Sequence, residues 1–299
     1  MRIAELLQYR RPCLSFEFFP PKTDAGVDSL METVRSLRIL NPGFVSVTYG
    51  AGGSGRARTL EVVKRIKQEL EIEPMAHVTC VGSTREELRA LLRELEAAKI
   101  ENIMALRGDA PKGTDRFTAT EGGFRYATDL IAMLAEEFSF SIGAGAYPEK
   151  HPEAQNIDAD IRVAALKVAV GAQFLVTQFF FNNDDYFAYV DQLRSAGVTI
   201  PVIPGIMPIT SYSSIATMMK MNGGRIPQRL LAELEARSDQ PEAVSELGVA
   251  FMALQCRELL ARGAPGLHFY TLNKSPATRA VVSALLAANA IAEPVPATT

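Results

Sequence analysis

An apolar run followed by a segment with helical spacing recurs eight times along this 299-residue chain, and that repetition limits the fold more than any single motif does. Strands are predicted at 14–19, 44–49, 75–80, 102–106, 140–147, 174–181, 201–206 and 266–272, from their lengths and their β-branched and aromatic residues. Helices are predicted at 26–40, 59–70, 84–98, 126–137, 157–170 and 184–196, in three pieces at 213–221, 228–236 and 241–261, and finally at 276–288. Eight strand-helix units make the fold class α/β and the architecture a (β/α)8 TIM barrel, typically one domain of about 250 residues. The excess length lies in the loop 112–123 and in the connection after the seventh strand. Both fall on the face formed by the strand C-termini, where barrel active sites are built. Residues 1–290 are accordingly read as a single barrel domain and 291–299 as a polar, Pro-containing tail that frays. An open doubly wound sheet has the same alternation and is the alternative, because alternation alone does not establish closure.

Composition narrows the partners. A hydrophobic content of 47%, a charged content of 22% and a net charge of -3 describe an ordinary globular chain with no basic excess to hold a nucleic-acid backbone. Cys13, Cys80 and Cys256 are too few and too scattered for a disulfide framework or a zinc knuckle, which favours a reducing compartment. Residues 1–12 contain no uninterrupted apolar run, so neither a signal peptide nor a membrane span is expected, and the protein is placed in the cytoplasm.

Chemistry concentrates at strand ends. Gly50-Ala51-Gly52-Gly53-Ser54-Gly55 fits a dinucleotide-binding turn, but it lies in the second strand-helix unit, and the next strand ends in Cys80-Val81 where a ribose-binding acid belongs. A loop over a barrel mouth is the better reading. Glu17 closes the first strand, Thr48 the second and Tyr147 the fifth. His77 and Gln178 lie within the third and sixth, Arg107 and Asp109 follow the fourth, and Asn273 and Lys274 follow the eighth. In a closed barrel these converge on one rim. On its strand Glu17 alternates with Phe16 and Phe18, and desolvation by such neighbours raises a carboxyl pKa, as suits a proton donor. Taken alone, it could equally reach solvent or pair with a basic residue. His77 could be a satisfied interior histidine. With His151 it could ligate a metal, but no strand-end cluster supplies three ligands at a recognisable spacing, so no metal site is assigned. Arg107-Gly108-Asp109 is either a turn with a local ion pair or a place where backbone and guanidinium approach an anion. The Gln178 amide offers both a donor and an acceptor, the complement of a pterin or carboxamide edge.

Several stretches, taken together and in order, resemble the 5,10-methylenetetrahydrofolate reductase family over nearly the whole chain. They are Ser15-Phe-Glu-Phe-Phe-Pro-Pro-Lys22, Val45-Ser-Val-Thr-Tyr-Gly-Ala51, His77-Val-Thr-Cys80, Ala105-Leu-Arg-Gly-Asp109, Ala146-Tyr-Pro-Glu-Lys-His-Pro-Glu-Ala154, Thr177-Gln-Phe-Phe-Phe181, Ile203-Pro-Gly-Ile206 and His268-Phe-Tyr-Thr-Leu-Asn273. The likeness is to the bacterial, catalytic-barrel form. It implies an FAD-dependent, ping-pong reduction of methylenetetrahydrofolate to 5-methyltetrahydrofolate by NADH or NADPH, feeding methionine synthesis. By the same resemblance Glu17 is the general acid and Asp109 orients the pterin and steadies developing positive charge. Gln178 then holds nicotinamide and pterin in turn, with Ser214, Met218 and Lys274 completing the folate site. Thr48, Tyr49, Ala51, His77, Arg107, Gly108, Asp109, Ala127, Tyr147, His151, Ala154, Asp160 and Lys167 are implied to line the FAD.

The chain departs from the bacterial pattern at Val163 and Leu166, where Asn and Arg face the cofactor. It departs again at Ser214, Met218 and Lys274, which stand for Gln, Phe and Arg, the last exchanging a bidentate fork for a point charge. Barrels associate through their outer helices, so a homo-oligomer is expected. Two other readings stay open at this point: a metal-dependent barrel hydrolase or lyase, and a flavin- or folate-binding subunit that receives electrons from a partner protein.

Overall fold

The computed structural model describes residues 1–49, 55–109 and 117–291. Within them the strands are β1 (Cys13–Phe18), β2 (Phe44–Val47), β3 (Pro74–Thr79), β4 (Asn102–Leu106), β5 (Ser141–Ala146), β6 (Phe174–Phe179), β7 (Val202–Ile206) and β8 (Gly266–Tyr270). The helices are α1 (Ile3–Tyr9), α2 (Asp24–Arg38), α3 (Gly55–Leu70), α4 (Arg85–Ala97), α5 (Ala127–Glu137), α6 (Ile157–Ala169), α7 (Asn183–Ser195), α8 (Tyr212–Asn222), α9 (Gln228–Glu235), α10 (Pro241–Ala261) and α11 (Pro276–Ala287). The eight strands close into one barrel in sequence order. The seam between chain ends is parallel and runs from the pair Cys13 and Gly266 to the pair Glu17 and Tyr270. Closure disposes of the open-sheet alternative and confirms the (β/α)8 TIM barrel.

Strands buried on both faces divide their side chains between two cores. On β1, Leu14, Phe16 and Phe18 point outward into the main core, which they share with Leu30, Val34, Val281 and Leu285 of the surrounding helices. Cys13 points inward to a second core with Phe44, Met75, Met104, Phe174, Val176 and Ile203. Those residues come from six strands, so this core fills the lower barrel. The same alternation carries Ser15 and Glu17 up the interior wall. Phe19, one step beyond the strand, is 47% exposed and does not shield the acid.

The bottom of the barrel is stoppered by α1, a helix the periodicity does not announce. Ile3, Leu6 and Leu7 enter the interior core. The Ile3 amide donates to Asn102 Oδ1 at 2.7 Å and the Ala4 amide to Ser141 Oγ at 3.0 Å, so the starts of β4 and β5 satisfy N–H groups that a helix start leaves open. Seven residues are too few to hold a helix by propensity, and packing holds this one.

Elsewhere local chemistry and structure agree. Thr84 and Glu87 form a reciprocal capping box on α4, and Asn156 caps α6 by accepting from the Ala159 amide at 2.9 Å. One strand is irregular. After the pair Val176 and Ile203, β6 resumes register at Phe179 and Gly205, so Thr177 and Gln178 together oppose Pro204. Ile291, at the end of the described chain, still packs against the core. Among the described residues no helix is long and apolar enough to cross a membrane.

Candidate active site

Glu17 sits in the upper barrel, its side chain 16% exposed, with three neighbours from three other strands converging on one oxygen. Ser46 Oγ on β2 donates to Oε2 at 3.2 Å, His268 Nε2 on β8 lies 3.3 Å away, and His77 Nε2 on β3 lies 3.3 Å away. Behind them, His268 Nδ1 meets Ser15 Oγ at 2.8 Å, which extends the line inward along β1. The His268 ring is fixed by a stacked contact with Phe44 and an edge contact with Tyr270, centroids 5.9 and 5.4 Å apart. Among the described residues His77 Nε2 has no well-aligned hydrogen-bond partner, so it is a buried polar atom left available at the mouth.

This environment corrects the expectation of a raised Glu17 pKa. Burial does push the carboxyl up, but the charge and close approach of His77, with the hydrogen bond from His268 and its charge, outweigh it. They hold the carboxyl well below the usual range. The neutral, aromatic-shielded acid read from the sequence is therefore an ionised carboxylate clasped by imidazoles.

A second group gathers where β4, β5 and α6 end. Gly108 takes a left-handed φ of +87°, and a Cβ there would lie 2.8 Å from Val81, so only glycine permits this tight approach. Arg107 forms a bidentate pair with Glu153, both contacts 2.6 Å, and its guanidinium lies over Phe117 at 5.0 Å. Tyr147 and His151 meet edge to face at 4.6 Å. Lys167 Nζ donates to the Gly145 carbonyl at 2.7 Å and stands 5.8 Å from the Tyr147 ring. Asp160 Oδ2 is buried with no hydrogen-bond partner among the described residues, and burial raises that carboxyl. Asp109 is exposed in the loop beyond β4, Ala127 opens α5, and the Ala154 amide donates to the His151 carbonyl at 2.9 Å. Thr48 and Tyr49 follow β2, the Tyr49 hydroxyl accepting from Arg56 Nε at 2.9 Å. Ala51 and the turn around it lie outside the described residues, as do residues 110–116 after Asp109.

These groups suit a nucleotide cofactor. Two cations, an orphaned carboxylate oxygen, an aromatic pair and a glycine with close backbone access fit a diphosphate, a ribose and a flat ring. Val163 and Leu166, 46% and 51% exposed, are the large apolar side chains that α6 leaves open to solvent.

Burial lowers the Lys167 ammonium from 10.5 to about 8. The unfolded chain then binds the extra proton between those values, so the burden of charging Lys167 is full below pH 8 and relieved as pH rises to 10.5. Lys167→Met is expected to gain stability over wild type in ligand-free urea denaturation most strongly below pH 8, with the difference shrinking to a constant above pH 10.5. A pH-independent difference would contradict the assignment.

The residues implied to hold the folate are more dispersed. Gln178 lies in the β6 bulge, its Oε1 accepting from the Phe179 amide at 3.0 Å. Met218 packs into a cluster with Phe179, Phe181 and Met207 above the barrel. Ser214, in the first turn of α8, and Lys274, in the turn after β8, are exposed and make local backbone bonds. His151 accepts from the Glu153 amide at its Nδ1 and is not part of the His77 cluster. The described residues hold no group of three or more His, Cys, Asp or Glu suited to a metal ion.

Ser15, Ser46, His268 and Tyr270 escape the sequence reading as site residues. Inward alternation from Glu17 would have indicated Ser15. His268 and Tyr270 become neighbours of β1 only once the barrel closes.

The sequence profile of the methylenetetrahydrofolate reductase family matches residues 2–286. The chain belongs to this family. It is 40% identical over 274 residues to methylenetetrahydrofolate reductase 1 of Schizosaccharomyces pombe, covering 91% of this chain and 45% of that protein. It is 38% identical over 273 residues to 5,10-methylenetetrahydrofolate reductase of Salmonella typhimurium, covering 91% and 90%. The chain thus spans about half the length of the yeast reductase and nine-tenths of the bacterial one. Among solved structures, a Clostridium thermocellum protein described as binding two copies of 5-methyl-5,6,7,8-tetrahydrofolic acid superposes with a TM-score of 0.64 at 16% identity, covering 95% of this chain and 97% of that one. At that identity the likeness is one of fold.

Proposed function

We propose that this protein reduces 5,10-methylenetetrahydrofolate to 5-methyltetrahydrofolate with FAD as the hydride carrier and NADH or NADPH as the source, the two substrates taking turns in a ping-pong cycle. Family membership supports the reaction class, and the clasped Glu17 at the barrel mouth is the observation that carries the mechanism. When bound, FAD would supply hydride transfer between the two substrates. Arg107, His151, Asp160 and Lys167 would hold its diphosphate and ribose, and Tyr147 with Gly108 would line the same site.

The chain's own contribution is a proton delivered at the correct place. Opening the methylene bridge to an electrophilic iminium requires a proton on the departing folate nitrogen. Glu17 is the group that passes it. A carboxylate held low takes the proton it passes on from a neighbour, and Nε2 of His268 and of His77 each stand 3.3 Å from Glu17 Oε2, within reach of a relay. Ser15 fixes the His268 ring and Ser46 the acid. Asp109 adds fixed negative charge near the cation that forms. Gln178 orients each substrate, Met218 offers an apolar face to the pterin, Ser214 reaches the folate, and Lys274 meets its glutamate end.

Anaerobic mixing tests the reading. The purified protein should be yellow, bleach on adding NADH or NADPH, and recover its colour on adding methylenetetrahydrofolate. Bleaching by dithionite but by neither nicotinamide would sink it and point to electrons from a partner protein.

A further inference from the structure

We infer that Tyr270 is a positioning residue that clamps the β6 bulge and turns Gln178 into a one-way hydrogen-bond donor for a ligand carbonyl. This rests on the reductase reading and goes beyond it. The bulge has an identifiable cause. Pro204 on β7 has no N–H to give the ladder, and the next amide, of Gly205, donates to the Thr177 side-chain oxygen at 2.9 Å. The Thr177 carbonyl takes its hydrogen bond instead from the Tyr270 hydroxyl, at 2.7 Å.

Gly205 makes room for that hydroxyl. A Cβ at this position would collide with the Thr177 carbonyl oxygen and lie 2.7 Å from Tyr270 Cε2 and 3.0 Å from its oxygen. The Tyr270 ring meanwhile stands edge-on to His268 and to Phe179, so one side chain spaces the bulge from the Glu17 cluster.

The orientation of the Gln178 amide follows from the clamp. Its partner within the bulge is the Phe179 backbone N–H, which only donates, so the side-chain atom there has to be the carbonyl oxygen. Among the described residues neither Nε2 hydrogen has a partner, so both face a ligand, which must present an acceptor. The nicotinamide carboxamide and the pterin ring each carry a carbonyl, so one donor serves both substrates in turn. The amide is thus a donor to the ligand, where the sequence reading left donor and acceptor equally available.

Four variants of the flavin-loaded protein test this: Tyr270→Phe, Gln178→Glu, Gln178→Ala, and Tyr270→Phe combined with Gln178→Ala. Tyr270→Phe should raise KM for nicotinamide and folate by about tenfold with kcat nearly unchanged, and weaken calorimetric binding of 5-methyltetrahydrofolate in the same ratio. The effect should vanish on a Gln178→Ala background, because it acts through Gln178. Gln178→Glu keeps shape but faces the ligand carbonyl with an acceptor, and should weaken binding by about a hundredfold. It tests the donor assignment even if Tyr270→Phe does not fold. Unshifted KM values in Tyr270→Phe, additive losses in the double variant, or retained binding by Gln178→Glu would overturn the proposal. Wild-type protein inactive in both half-reactions would instead sink the reductase reading.

Discussion

Glu17→Gln should slow reoxidation of the flavin by methylenetetrahydrofolate by about 10²–10⁴-fold, the usual worth of a general acid, while flavin bleaching by NADH or NADPH stays within about twofold. The substitution keeps size and can still accept from Ser46, so the barrel wall is not disturbed. It removes the carboxylate that, among the described residues, is placed to take a proton from His268 and His77 and hand it on. The nicotinamide half-reaction moves a hydride and needs no such proton. Stopped-flow absorbance of the flavin separates the two halves. Equal losses in both would mean that Glu17 organises the site generally and is not the acid.

Gly266→Ala should cost the fold about 3 kcal/mol or more, at or above the upper end of ordinary overpacking. Gly266 opens β8 and pairs with Cys13, so it lies on the seam where the two ends of the chain close the barrel. An added Cβ would collide with the Cys13 carbonyl oxygen and stand 2.9 Å from both the carbonyl carbon and the amide nitrogen. All three are backbone atoms of a strand held on both sides, and no side chain can swing away to relieve them. Gly82→Ala is the control. There φ is +70° and nothing stands near the added methyl, so the cost is the left-handed penalty of about 1–2 kcal/mol. Urea denaturation of the two variants should rank them in that order, and a Gly266→Ala variant no weaker than Gly82→Ala would refute the packing argument.

Local signals were legible where local physics decides the outcome. The strand 102–106 coincides with β4, the helix 241–261 with α10, and the other elements mostly differ by one or two residues. The misses have causes. The third helix begins at Gly55, a turn before its apolar periodicity starts, and α1 is a short helix whose stability comes from plugging a barrel. The strand drawn through Phe181 stops at Phe179, after the bulge opposite Pro204 has already broken its register.

For the site, the amino-acid sequence alone determined that an acid sits at the end of the first strand, on the face opposite Phe16 and Phe18. Side-chain alternation is a property of one strand and is written in it. It also carried the ordered signatures of the family. Tertiary structure decided the rest. His268 lies 251 positions from Glu17 and reaches it only because the barrel closes. That contact, with His77, reverses the sign of the pKa shift expected from desolvation, since a charge a few ångströms away can outweigh burial and no local pattern encodes it. The same holds for Gln178, whose residue type was visible but whose free hydrogens depend on a proline in one neighbouring strand and a tyrosine in another.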